Sequence, residues 1–297
     1  MCIRDRVWID HGVKIFRVDN PHTKPVEFWQ WLIADVARDH PEVIWLAEAF
    51  TRPAMMHTLG KAGFQQSYTY YAWRNAKWEL EDYCRELAGD AAAYMRPSFW
   101  PTTHDILTPF MQYGGPTAWK LRAAIAATLV PTYGIYTGYE LMESVARPGV
   151  EEQIDNEKYE FKDRRWADYE PGGPKDGQSL AGYLTMLNAA LRAHPALHLM
   201  RNLHFHHAPD DAIMCFSKSR VLPDGRRDTV IVVANLDPHS TRETQVDLDL
   251  PALGLPWGSA LRVHDLVTDA VWDWGQYNYV RLGADTEPVH ILEVLSH

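Results

Sequence analysis

Lys14-Ile-Phe-Arg-Val-Asp-Asn20 and, 29 residues later, Val43-Ile-Trp-Leu-Ala-Glu48 are the stretches that decide the fold. Each is a short run rich in β-branched and aromatic residues that ends in a carboxylate, the pattern of a buried strand. Between them, Pro25 to Arg38 repeats its apolar residues at helical spacing behind a proline start. Strand, helix, strand is the unit from which parallel sheets are built.

The alternation continues outward. Pro53 to Ala62 reads as a helix, Gln66 to Thr69 as a strand, and Trp73 to Leu87 as a helix. Met95 to Phe99 precedes a helix at about Ala118 to Thr128, and Thr132 to Tyr136 is a fifth strand. A polar insertion, Gly138 to Gly177, delays the last helix, Ser179 to Ala193. Loops that long are functional or disordered. Beyond His198 the period changes to two, with strands expected at Ala212 to Ser217, Thr229 to Ala234, Glu243 to Leu248, Ala260 to His264, Tyr279 to Leu282 and Val289 to Val294. Turn signals such as Pro223-Asp-Gly225 separate them, so an antiparallel β-sandwich should follow the α/β part. The expected division is 1–197, with an insertion at 138–178, and 198–297.

Composition narrows the function. The 297 residues carry a formal charge of −10, which disfavours nucleic acid or an anionic membrane surface as partner. No apolar run of about 18 residues exists to span a bilayer, and the first residues lack a signal peptide's apolar stretch, so a soluble cytoplasmic protein is expected. Cys2, Cys84 and Cys215 are far apart and in no Cys-x-x-Cys arrangement, which suggests neither a disulfide framework nor a zinc site. No metal and no cofactor are expected.

The chemistry is carried by Asp19, Glu48 and Asp105, at or beyond the ends of strand runs. Glu48 follows Asp19 by 29 residues and Asp105 follows Glu48 by 57, about twice as far. A (β/α)₈ barrel spends about 30 residues per βα unit, so these positions fall on strands n, n+1 and n+3 of one ring and converge on its catalytic face. Converging carboxylates without histidine or cysteine partners at metal spacing point to glycoside chemistry, with one carboxylate as nucleophile and another as acid. Arg17, two residues before Asp19, shares its face of the strand and favours the ionised nucleophile. Glu48 ends a very apolar run, which favours the protonated acid. Taken singly, each reads more readily as a strand-end carboxylate that caps a helix or pairs with a surface cation; the spacing of all three together with Arg17 reverses that.

Gly12 to Lys24, Leu46-Ala-Glu-Ala-Phe-Thr-Arg-Pro53 and Phe99-Trp-Pro-Thr-Thr-His-Asp105 resemble, in order and separation, the nucleophile, acid/base and third-carboxylate strands of the α-amylase clan of glycoside hydrolases. Within that clan, Arg17 to Pro25, Ala47 to Pro53, Gly63-Phe-Gln-Gln-Ser-Tyr-Thr-Tyr70 and Gly134-Ile-Tyr-Thr-Gly-Tyr-Glu140 look most like the maltosyltransferases that use α-maltose 1-phosphate as donor and a glycogen-like α-1,4-glucan as acceptor. Asn20 stands where ordinary amylases commonly carry alanine. The resemblance runs from about Trp8 through the sandwich, more loosely in the β-module.

The resemblance implies roles. Asp19 is the nucleophile, Glu48 the general acid/base, and Asp105 holds sugar hydroxyls in the distorted transition state. Arg17 orients Asp19, Asn20 donates to the leaving phosphate, His104 stabilises charge on the sugar, and Lys158 and Tyr159 contact the maltosyl unit. The reaction implied is double displacement with retention, and the parent enzyme is expected to be a homodimer. Because the first strand matches the clan's fourth, the fold expected is the C-terminal portion, about five βα units, of a (β/α)₈ TIM barrel, followed by the sandwich. Such a portion leaves open strand edges, so the chain alone is expected to aggregate and to be inactive. The alternatives are an α-glucan hydrolase or another transglycosidase of the clan, and a non-catalytic glucan-binding protein.

Overall fold

The computed structural model describes residues 2–154 and 162–296. Helix α1 (Cys2–Asp10) leads into five strands: β1 (Ile15–Asp19), β2 (Ile44–Glu48), β3 (Gln66–Tyr68), β4 (Pro97–Phe99) and β5 (Thr132–Tyr133). They form one parallel sheet in sequence order. Helices α2 (Val26–Asp39), α3 (Pro53–Ala62) and α4 (Lys77–Ala88) connect the first four strands, α5 (Pro109–Tyr113) and α6 (Gly115–Leu129) precede β5, and α7 (Ala181–Ala193) follows it. These are five βα units of a barrel wall. Among the described residues the outer edges of β1 and β5 are unpaired.

Local chemistry sets these elements. In α2, Trp29, Leu32, Ile33 and Val36 recur at helical spacing and are all buried, a burial that favours folding by about 2 kcal/mol per side chain. Helix α3 opens on Pro53 and stops at Gly63, whose φ of 119° suits glycine; Ile33 of α2 lies against that stop. Helix α6 is buried nearly all round, because one side faces the parallel sheet and the other the C-terminal strands.

Two of the boundaries that differ from expectation have a local cause. The helix expected from Trp73 begins at Lys77, because the Glu79 carboxylate accepts the Asn75 and Ala76 N–H groups at 3.2 and 3.0 Å and fixes the start there. The residues before it, Tyr70–Trp73, form a 3₁₀ turn. The fifth strand ends at Tyr133 rather than Tyr136: Gly134 still donates to Phe99 at 2.9 Å, but it lies beneath the Trp100 ring, which a Cβ there would overlap.

The second half contains β6 (Leu203–His206), β7 (Ile213–Val221), β8 (Arg227–Asn235), β9 (Arg242–Asp247), β10 (Leu261–Asp265), β11 (Val271–Trp274), β12 (Tyr277–Leu282) and β13 (Val289–Ser296). Six form an antiparallel sheet ordered β11-β10-β13-β8-β7-β6, and β12 pairs with β9. Two strands, β6 and β11, were not expected from the sequence. Both are four-residue edge strands, too short for a period of two to show. The Pro223-Asp-Gly225 signal is indeed the β7–β8 turn, closed by Leu222 N–H donating to Arg226 at 2.7 Å.

The middle of this sheet is covered on both faces. Phe216, Val230, Val232 and Ala234 join one core with Trp119, Ile125 and Leu187 of the helices, while Ile213, Cys215, Ile231 and Val233 face Val246, Leu248, Val280 and Leu282. That is why β7 and β8 read as continuous apolar runs rather than as alternation. Within this core Lys218 is fully buried, and its ammonium donates to the carbonyls of Leu199 at 2.8 Å and Leu197 at 3.4 Å. No helix among the described residues is long and apolar enough to cross a membrane.

Burial lowers the Lys218 pKa from 10.5 to about 7. A lysine held below its unfolded value disfavours folding while both states are protonated, and this cost fades as pH rises from about 7 towards the unfolded value. Lys218→Met should therefore be favoured over wild type at pH 6, by on the order of a few kcal/mol less the two lost hydrogen bonds. Its relative stability should fall steadily to pH 9. Thermal melts of both proteins across that range test this; a pH-independent difference would contradict it.

Candidate active site

Register builds the site. In the β1–β2 ladder Arg17 pairs with Leu46 and Asp19 with Glu48. Alternate strand residues share a face, so Arg17, Asp19 and Glu48 project together while Phe16 and Trp45 stack on the opposite face with centroids 5.0 Å apart. One guanidinium joins both acids: Arg17 Nη1 lies 3.2 Å from Asp19 Oδ2, and Nη2 lies 3.1 Å from Glu48 Oε1. Neighbouring strands run about 4.8 Å apart, so in-register carboxylates suit the short separation, about 5 to 5.5 Å, of retaining enzymes rather than the wider inverting one.

The two acids sit in different surroundings. The Asp19 side chain is 51% exposed and that of Glu48 only 8%. Burial pushes the Glu48 pKa above its ordinary value, against the pull of Arg17 and of the Asn20 N–H; Asp19 and Asp105 add to the rise. A buried carboxyl that holds its proton more tightly than usual, beside a hydrated one, is the division of labour that acid catalysis needs.

Asn20 turns the chain away from the strand. It adopts a left-handed conformation, φ 44° and ψ 54°, ahead of the 3₁₀ turn Pro21–Thr23, as asparagine tolerates. Its backbone N–H donates to the Glu48 carbonyl at 3.0 Å and approaches the Glu48 carboxylate at 3.4 Å. Its side chain is exposed beside Asp19.

Asp105 lies six residues beyond β4, in a loop rather than at the strand end. Thr103 shapes that loop by accepting the N–H groups of Asp105 and Ile106 at 3.2 and 3.0 Å. His104 Nε2 lies 2.8 Å from Asp105 Oδ2, and its ring neighbours Tyr136. Lys158 and Tyr159 lie outside the described residues. Among the described residues no group of three or more His, Cys, Asp or Glu is placed to hold a metal ion.

Sequence reasoning missed an aromatic wall. Tyr68, at the end of β3, sets its ring 5.9 Å from the Arg17 guanidinium and stacks on Trp100 at 4.9 Å. Phe50, two residues after Glu48, contacts Tyr68, Tyr70 and Trp73 edge-on. The signal was there: Tyr68 ends the strand between those of Glu48 and Asp105. Phe99, by contrast, is pure core, stacked on Tyr71 at 4.3 Å. The molecule also has a cleft of about 890 Å³, lined by Trp119, Lys120, Tyr169 and Tyr183 among others and, among the described residues, by none of the expected site residues.

Residues 205–294 match the family described as GLGE, C-terminal. "Alpha-1,4-glucan:maltose-1-phosphate maltosyltransferase 2" of Streptomyces coelicolor is 54% identical over 290 residues, 97% of this chain and 42% of that protein. Over nearly its whole length the chain is homologous to the α-1,4-glucan:maltose-1-phosphate maltosyltransferases. The relative of that name from Corynebacterium glutamicum is 48% identical over 96% of this chain, and that from Mycolicibacterium smegmatis 45% over 97%. The chain spans about two fifths of the length of these maltosyltransferases, 40 to 42%. In fold, an Anoxybacillus α-amylase superposes with TM-score 0.71 at 15% identity, covering 100% of this chain and 62% of that one. The α-amylase of Geobacillus thermoleovorans complexed with acarbose gives 0.70 at 16%, covering 99% and 62%. The fold matches that of these α-amylases, part of a barrel followed by antiparallel β-structure.

The electrostatics predict a measurable coupling. Arg17 opposes the rise of the Glu48 pKa, so Arg17→Leu should raise that pKa further. Carbon-13 NMR of carboxyl-labelled glutamate across pH 4 to 9 would follow it, and an unmoved or lowered Glu48 titration would sink the account.

Proposed function

We propose that Asp19, Glu48 and Asp105 are the catalytic carboxylates of a retaining maltosyltransferase that takes α-maltose 1-phosphate as donor and a glycogen-like α-1,4-glucan as acceptor. The observation that carries this reading is the unequal pair on one guanidinium: an accessible Asp19 and a buried Glu48 whose pKa is raised. The names of these maltosyltransferase relatives supply the substrate class. Residues 1–197 then form the catalytic portion, with 138–178 as its insertion, and 198–297 the β-sandwich module. A cytoplasmic location and a homodimeric parent belong to the same proposal.

The chemistry follows from the surroundings. Asp19, paired with Arg17, attacks the anomeric carbon as the bond to the phosphate oxygen breaks. Glu48 gives its proton to that oxygen, and the exposed Asn20 amide donates to the departing phosphate. A β-maltosyl ester on Asp19 results. The acceptor's 4-hydroxyl then loses its proton to Glu48 and attacks the same carbon, which frees Asp19 and leaves the α-configuration. Asp105, oriented by His104, binds the hydroxyls of the distorted ring, and Lys158 and Tyr159 hold the maltosyl unit.

An α-glucan hydrolase is the second reading, favoured by the α-amylases among the structural neighbours; it shares the first half-reaction. The two part at the leaving group. The chain, completed with the upstream region of a related maltosyltransferase, should release phosphate from maltose 1-phosphate and lengthen maltohexaose by two glucose units at a time. Asp19→Ala should abolish both, and Asn20→Ala should slow phosphate-donor turnover by about a hundredfold while sparing any starch hydrolysis. Maltose as the sole sugar product would favour the hydrolase.

A further inference from the structure

The long insertion reaches the catalytic face through a small hairpin. Ala146 bridges Gln153, Ile154 N–H donates to Val145 at 3.1 Å, and Arg147 N–H donates to Glu152 at 2.9 Å. At its turn Glu151 makes two contacts with different loops. Its carboxylate accepts the Trp73 indole N–H at 2.7 Å, and its backbone carbonyl accepts the N–H of fully buried Leu107 at 2.8 Å.

Both partners lie one step from a carboxylate of the site. Trp73 is in edge contact with Phe50, centroids 5.3 Å apart, and Phe50 is two residues after Glu48. Leu107 is two residues after Asp105. We propose that Glu151 is a positioning residue, a brace that fixes the spacing between the loop after Glu48 and the loop carrying Asp105. The inference rests on the reading of Glu48 and Asp105 given above. The bond to Leu107 uses the backbone, which any residue supplies. The indole is donor-only, and the Glu151 carboxylate is the protein acceptor it meets, in a bond open to solvent, so the side chain of residue 151 ties Trp73, and through it Phe50, to the hairpin.

Reacting groups misplaced by about an ångström lose rate rather than ground-state affinity, which separates a brace from a binding contact. The test uses the completed enzyme with two donors in parallel, maltose 1-phosphate and α-maltosyl fluoride, the second of which needs no phosphate recognition. Glu151→Ala should lower kcat about tenfold on both donors, with KM within twofold and little change in Tm. Glu151→Gln, which keeps an acceptor oxygen, should stay within twofold of wild type. Trp73→Phe should reproduce the loss, and the double variant should be no worse than either single one. The proposal falls if Gln is as damaging as Ala, if the two losses multiply, if only KM moves, or if Glu151→Ala is silent. Turnover of the fluoride alone would overturn the phosphate-donor reading and leave the brace to be judged on the fluoride series. An enzyme inert to both donors overturns the two together.

Discussion

The guanidinium of Arg17, shared between Asp19 and Glu48, is the interaction on which the rest of the site depends. Two carboxylates on adjacent strand positions repel, and burying one costs more still. A single planar cation with parallel donors offsets both. The arrangement requires β1 and β2 to stay in register, since a slip of one residue would turn Asp19 or Glu48 to the opposite face. The Phe16–Trp45 stack and the packing of α2 against α3 hold that register from the far side of the sheet. Asn20 holds it from above, by donating its N–H to Glu48 from a left-handed turn.

Around this pair the site is assembled from loops, and aromatic rings set how they stand. Trp100 lies over Gly134 and against Tyr68, so the loop after β4 is levelled by a ring that admits only glycine beneath it. Phe50, Tyr70 and Trp73 join the loops after β2 and β3 in one wall. Rings are stiff and broad, so a few contacts fix loop positions that hydrogen bonds in water would leave loose.

The C-terminal sheet carries none of the candidate site residues and packs against the helices behind them. Its inner face completes the core that buries α6, and Arg122 of that helix is sealed over the Tyr71 ring at 3.7 Å while donating to the Arg74 and Tyr71 carbonyls. Arg122 and Lys218 are each fully buried and satisfied by backbone oxygens, where a buried charge with no partner would be far more costly. The two halves therefore share one hydrophobic core.

The sequence by itself determined the βα alternation, the carboxylates at residues 19, 48 and 105, and the placement of Arg17 on the face of Asp19, because strand period and unit length are local properties of the chain. It also showed the resemblance carried by Asn20 and the surrounding motifs. It did not show that Asp105 leaves the strand for a Thr103-shaped loop, that α4 starts four residues late under the Glu79 cap, or that β6 and β11 exist, since short edge strands carry too few residues for a pattern. The apolar run before Glu48 already pointed to its burial; only the tertiary structure decided that one guanidinium serves both acids and that Glu151 spans two loops. Those facts depend on residues far apart in the chain meeting at distances no sequence period encodes.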